Sequence, residues 1–156
     1  MGLRILIVDD EAAIRKMLTI AFIKAGYEVL TAAHVLEAMN VLATEKVDAV
    51  LSDVLLNSLS GHDLARWVAE HRSSLPCVLM TEFEDRNCDN CPIASGCPQV
   101  HKPFNPKDAV SIVGQAIANS GEYHRAAQHL RRLGRLSFFG EVERHPSYFV
   151  RCRVAI

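Results

Sequence analysis

Two hydrophobic rhythms alternate along the chain as far as Asn119. Short, nearly continuous apolar runs at Arg4–Val8, Tyr27–Thr31, Val47–Ser52 and Cys77–Met80 have the length and composition of buried strands. Between them, at Ala12–Ala25, Val35–Ala43 and His62–His71, and again at Asp108–Asn119, apolar residues recur every three or four positions, as on one face of a helix. In the first of these segments Ile14, Met17, Leu18 and Ala21 fall on that face and are read as core, and Gly26 supplies the stop just past the helix end. Strand then helix, repeated, predicts an α/β domain with a parallel sheet covered on both faces.

The rhythm fails between Thr81 and Gln99. Where a fourth crossover helix is due, the chain offers EFEDRNCDNCPIASGCP, with two prolines, a glycine and few apolar anchors. A degenerate helix of a turn or two is all this supports. Pro98 lacks the N–H that a sheet ladder needs, so the fifth strand is expected to be short, at Gln99–His101.

Composition narrows the class. At 156 residues, 49% hydrophobic and 22% charged, the chain suits one globular domain with a modest extension. No apolar run approaches the ~18 residues of a membrane-spanning helix, and the N-terminus lacks the pattern of a signal peptide. The expected location is the cytoplasm, without membrane association. Residues 1–120 carry 10 basic and 15 acidic side chains, whereas residues 121–156 carry 7 basic and 3 acidic. This change of sign sets a boundary near Ser120 and divides the chain into a domain, 1–120, and an extension, 121–156. The extension reads as a helix followed by a β-hairpin, in which RLSFFGEVE and SYFVRCRVAI alternate apolar and polar residues around RHPS.

The candidate chemistry lies at strand ends. Asp9 and Asp10 end the first strand, Asp53 the third, Thr81 the fourth and Lys102 the fifth. In an open α/β sheet ligands bind beyond the carboxyl ends of the strands, so these five side chains are expected to converge on one rim. A single acid there would be an ordinary helix-start residue, but five such residues at the correct strand ends point to one shared site. Two carboxylates beside a third repel an anionic phosphoryl group unless a divalent cation reverses the sign, and a lysine then neutralises the remaining charge.

The segments ILIVDDE at 5–11, VLSDVLLNSLSGHDL at 50–64, VLMTEF at 78–83 and HKPF at 101–104 resemble, in order and spacing, the receiver domain of bacterial two-component response regulators. The resemblance covers residues 1–119. It implies the flavodoxin-like, CheY-like doubly wound five-stranded parallel sheet in the order 2-1-3-4-5. It also implies that Asp53 accepts the phosphoryl group, that Asp9, Asp10 and Asp53 hold Mg²⁺ with a carbonyl near Leu55, and that Thr81 and Lys102 bind phosphoryl oxygens. The donor would be a sensor histidine kinase or phosphotransfer protein. Output would pass through a protein–protein surface to a downstream protein or a second copy of the chain, with no enzymatic activity beyond self-phosphorylation and autodephosphorylation.

Three positions depart from the family pattern. Glu82 follows the switch threonine where a small residue is usual, placing a carboxylate at the entrance. Asn57 replaces a common proline, which loosens a turn. Gln99 stands at the switch position where an aromatic residue usually reports the state of Thr81.

The cysteines add a second candidate site. Cys88, Cys91, Cys97 and His101 provide four soft or borderline ligands within one short segment, enough to close a tetrahedral Zn²⁺ site. Strand alternation turns Cys97, Gln99 and His101 to one side and Lys102 to the other, so the ligands are expected at the surface, away from the phosphoryl rim. The alternatives are unliganded loop cysteines, a reversible Cys88–Cys91 disulfide, or an iron–sulfur cluster recruiting Cys77 or Cys152. Two other functions stay open: a DNA-binding transcription regulator using Arg125, Arg131, Arg132 and Arg135 of the basic tail, and a metal or thiol sensor that has lost phosphorylation.

Overall fold

The computed structural model describes residues 2–57, 59–72, 74–82 and 97–120, together with the backbone of 142–144 and 150–152. Five parallel strands, β1 (Arg4–Val8), β2 (Glu28–Ala32), β3 (Ala49–Asp53), β4 (Cys77–Thr81) and β5 (Gln99–His101), form one sheet in the order β2-β1-β3-β4-β5. This is the flavodoxin-like arrangement implied by the resemblance. β3 and β4 are buried at every residue, which explains why they read as unbroken apolar runs rather than alternating ones. β2, at the sheet edge, is only partly buried.

Four helices cover the two faces: α1 (Ala12–Lys24), α2 (Val35–Thr44), α3 (Gly61–His71) and α4 (Pro106–Ala118). Period-two alternation divides the strand side chains between two cores. Leu6, Val8, Val50, Cys77 and Leu79 pack with Leu42 of α2 and Leu64 and Val68 of α3. On the opposite face Ile5, Ile7, Leu51, Val78, Met80 and Val100 pack with Leu18 and Phe22 of α1 and Val113 of α4. The inward stripe of α1 therefore runs through Ile14, Leu18 and Phe22. Met17, expected in the core, is exposed, because one helical face cannot turn both Met17 and Phe22 inward and the larger ring takes the buried position. Gly26 adopts φ +93° just beyond α1, the left-handed conformation its role as a stop requires.

Local sequence sets the helix starts nearest the rim. Ser60 caps α3 by accepting from the Asp63 amide at 3.3 Å, and the Ser60 amide donates to Asp63 Oδ2 at 2.7 Å, closing a capping box. Asn105 caps α4 through the Lys107 amide, with Pro106 in the first turn. Pro98 donates nothing to the sheet, but its carbonyl accepts from Leu79, and β5 is as short as expected.

The expected fourth helix falls on residues outside those described, as does the helix expected at the start of the extension. The hairpin is present in its backbone: β6 (Val142–Arg144) pairs antiparallel with β7 (Val150–Cys152). Among the described residues no helix is long and apolar enough to cross a membrane.

Candidate functional site: an acidic rim at the carboxyl ends of the strands

The five rim residues arrive from four strand ends. β1 delivers Asp9 and Asp10, β3 ends on Asp53, β4 on Thr81, and Lys102 follows β5. Register fixes their mutual position: Asp53 pairs with Met80 and Thr81 with His101, while the Lys102 amide donates to the Thr81 carbonyl at 2.8 Å. Asp9, Asp53 and Thr81 are buried, and Asp10 is half-buried.

Lys102 Nζ lies 3.1 Å from Asp53 Oδ2 and 4.0 Å from Asp9 Oδ2. The remaining oxygens are oriented by the backbone. Glu11 N–H donates to Asp9 Oδ1 at 2.9 Å, and Leu55 N–H approaches Asp53 Oδ1 at 3.4 Å. Asp9 Oδ2 has no hydrogen-bond partner among the described residues. One oxygen each of Asp9, Asp10 and Asp53 lies within 4.8 Å of the other two, a donor set able to share one ion. Hard carboxylate oxygens with room for further oxygen ligands suit Mg²⁺, so the residues present fit the cation that the fold family uses.

The electrostatics say the same. Burial raises the Asp9 carboxyl to about 6, helped by the charges of Asp53 and Asp10 and opposed by the Glu11 amide and Lys102. Asp53 is also raised, by burial first, against the charge and hydrogen bond of Lys102. Burial pulls Lys102 downward, but Asp53, Asp9 and Glu82 outweigh it and leave the ammonium stabilised. One lysine does not neutralise three carboxylates, and burial converts the excess into raised pKa values.

Sequence reasoning missed Gly61. A Cβ there would collide with the Asp53 carbonyl oxygen, because Gly61, held by its N–H to the Val54 carbonyl at 3.0 Å, packs directly on the backbone of Asp53 and Val54. The available signal was a glycine immediately after a capping serine. Glu82 sits where expected, lining an open cleft with Lys102, Pro103, Phe104, Glu11, Ile14 and Met17.

The cysteine segment behaves differently. Cys88 and Cys91 lie outside the described residues. Cys97, expected at the surface, is buried in the core shared with α2 and α3, where it packs against Cys77. Their hydrogen bond, followed by burial, raises the Cys77 thiol well above its ordinary range. Cys97, Gln99 and His101 share one side of the chain as alternation requires, but that side faces the core at Cys97 and becomes exposed only at Gln99 and His101. His101 in turn places Nδ1 3.2 Å from Thr81 Oγ1. The described part of the Cys/His set is thus divided between a core pair and the rim, and the three-ligand cluster found among the described residues is the aspartate one.

The family model of the response regulator receiver domain matches residues 5–114, and the chain belongs to that family. Receiver domains accept phosphoryl groups from histidine kinases and act on downstream partners. Among curated relatives, the phosphate regulon transcriptional regulatory protein PhoB of Pseudomonas aeruginosa is 34% identical over 124 residues, covering 77% of this chain and 54% of the relative. The chain spans about half the length of the curated relatives it matches first. A response regulator from Chloroflexus aurantiacus superposes with a TM-score of 0.69 at 31% identity, covering 76% of this chain and 99% of that one. The response regulator TrrA of Thermotoga maritima, solved in complex with Mg²⁺ and BeF, gives 0.66 at 26% identity, covering 73% and 98%.

Proposed function

We propose that Asp53 is the phosphoryl acceptor of a two-component receiver, charged by a sensor histidine kinase or phosphotransfer protein and read by a downstream protein. The observation that carries the reading is the convergence of three aspartates with Lys102 at the ends of β1, β3 and β5. An Asp53 oxygen attacks phosphorus, the P–N bond of the donor phosphohistidine breaks, and the imidazole leaves with the electron pair. Lys102 neutralises charge on the acceptor side, and the Thr81 hydroxyl donates to a phosphoryl oxygen. Mg²⁺, held by Asp9, Asp10 and Asp53, would supply the positive charge that lets carboxylate and phosphoryl group meet. Burial of the rim restricts water around the acyl phosphate, and Glu82 at the cleft mouth slows anionic donors.

Intact-mass measurement after incubation with acetyl phosphate and Mg²⁺ tests the assignment. The wild type gains one phosphoryl mass and Asp53→Asn gains none. Equal labelling of both would place the acceptor elsewhere.

A transcriptional output is a second reading, favoured by the names of the relatives, which include PhoB and the DNA-binding transcriptional regulator NtrC. The arginines of the extension are its candidates in this chain, and a salt-dependent DNA shift assay distinguishes it from protein-only output.

A further inference from the structure

The imidazole of His101 occupies a position that the phosphoryl chemistry does not require. His101 is the register partner of Thr81 across the β4–β5 ladder, and its Nδ1 lies 3.2 Å from Thr81 Oγ1. Both side chains stand on the face that carries Cys77, Leu79 and Cys97, while the next residue, Lys102, turns to the rim and reaches Asp53 at 3.1 Å. The consecutive residues His101 and Lys102 thus engage Thr81 and Asp53 respectively.

We propose that His101 is a positioning residue for Thr81. In the tautomer that carries the ring proton on Nε2, its Nδ1 accepts a hydrogen bond from the Thr81 hydroxyl in the resting state and loses that bond when a phosphoryl group arrives on Asp53. The inference rests on the reading of Asp53 as acceptor and specifies how that site is read without an aromatic switch at Gln99.

A threonine hydroxyl has one proton to donate. A phosphoryl oxygen is an acceptor only, so Thr81 cannot serve it while donating to His101. The backbone leaves little freedom for any other response. Thr81 is paired to His101 in the ladder, and its carbonyl accepts from the Lys102 amide at 2.8 Å, so the hydroxyl changes partner by rotation about χ1. A charge-assisted bond to an anionic oxygen is stronger than the neutral one it replaces, which sets the direction of the exchange. His101 lies at an exposed position of β5, so the exchange reaches the protein surface in one step.

The test uses the full chain with Mg²⁺ and beryllofluoride, a phosphoryl mimic, and two readouts: the ¹⁵N shifts of the His101 ring, and beryllofluoride affinity in wild type, His101→Ala and His101→Asn. On saturation, the wild-type Nδ1 shift moves as its hydrogen bond is lost. His101→Ala, relieved of the competing bond, binds the mimic roughly threefold to tenfold more tightly, the range for one neutral hydrogen bond. His101→Asn, which restores a polar group near the Nδ1 position, returns the affinity to within about twofold of wild type. A saturated protein with an unmoved ring shift, or an alanine variant of equal or weaker affinity, overturns the proposal and leaves the acceptor assignment standing. A wild type that does not bind beryllofluoride at all overturns the acceptor reading and this inference with it.

Discussion

Burial moves two titratable groups in opposite directions on the two sides of the Asp53 loop. On the rim it raises Asp9 to about 6, whereas at the start of α3 it lowers His62 to about 4, with Arg66 one turn on adding a like charge. The cause is common to both, since a buried group resists its charged form. The consequences differ because of the surroundings. Asp9 faces Asp53, Asp10 and Lys102, so its cost as an anion becomes affinity for a cation. His62 has no hydrogen-bond partner for either ring nitrogen among the described residues and serves the fold as a neutral, space-filling ring. A perturbed pKa marks chemistry only where other polar groups converge on it.

The strongest way to break the contrast is Gly61→Ala, since Gly61 packs on the Asp53 carbonyl and precedes His62. The added methyl is expected to cost about 3 kcal/mol in urea unfolding, the upper end for overpacking a tight site. It also abolishes phosphoryl labelling of whatever fraction stays folded. Full labelling at wild-type stability would show that the loop following Asp53 does not depend on this contact.

Acid sharpens it next. His62 titrates at about 4 in the fold against 6.5 in the unfolded chain, so its contribution is intact above pH 6.5 and disappears as pH falls toward 4. The loss is about 3 kcal/mol in all. Comparing unfolding free energies at pH 7 and pH 4.5, His62→Leu is expected to lose much less than wild type, and parallel losses would remove His62 as the cause.

Asp9 has the opposite sign. Its folded value, raised from 3.8 to about 6, makes the rim unfavourable as pH rises through that window, so Asp9→Asn stabilises the Mg²⁺-free protein at pH 7 by about 2 kcal/mol. The same variant loses Mg²⁺ binding, measured by calorimetry. In the wild type, Mg²⁺ affinity is expected to fall about tenfold per pH unit below about 6, as the cation must displace the Asp9 proton. A flat profile would mean that Asp9 is ionised without the cation.

The smallest effect belongs to the sulfur pair. Cys97→Ser places a hydroxyl in the core beside Cys77 and costs about 1 kcal/mol in thermal or urea unfolding. Rim labelling stays unchanged. A collapse of the fold would show that the Cys77–Cys97 contact carries far more stability than one core hydrogen bond.

The reading of β5 shows how far pattern reaches. Alternation placed Cys97 and His101 on the same side, and that holds, but the Zn²⁺ expectation also required that side to be open along its whole length. It is closed at Cys97, where the α2 and α3 core still covers the sheet, and open two residues later. Met17 failed for a related reason, because helical periodicity admits neighbouring stripes and the bulk of Phe22 chose between them. Gly61 was legible only as the residue after a cap, since its backbone approach to Asp53 joins two segments by tertiary packing.

By itself the sequence determined the alternation of strand and helix, the shortness of β5, and which five side chains stand at strand ends, because these follow from local periodicity and from what proline and glycine forbid. Tertiary structure decided which of those side chains meet at ionic and hydrogen-bonding distance. It put Asp53 against Lys102, Cys97 against Cys77, and His101 against Thr81. Each of these pairs joins segments in or directly beside different strands, and their separation is fixed by ladder register and sheet twist, quantities that no single segment of the chain contains.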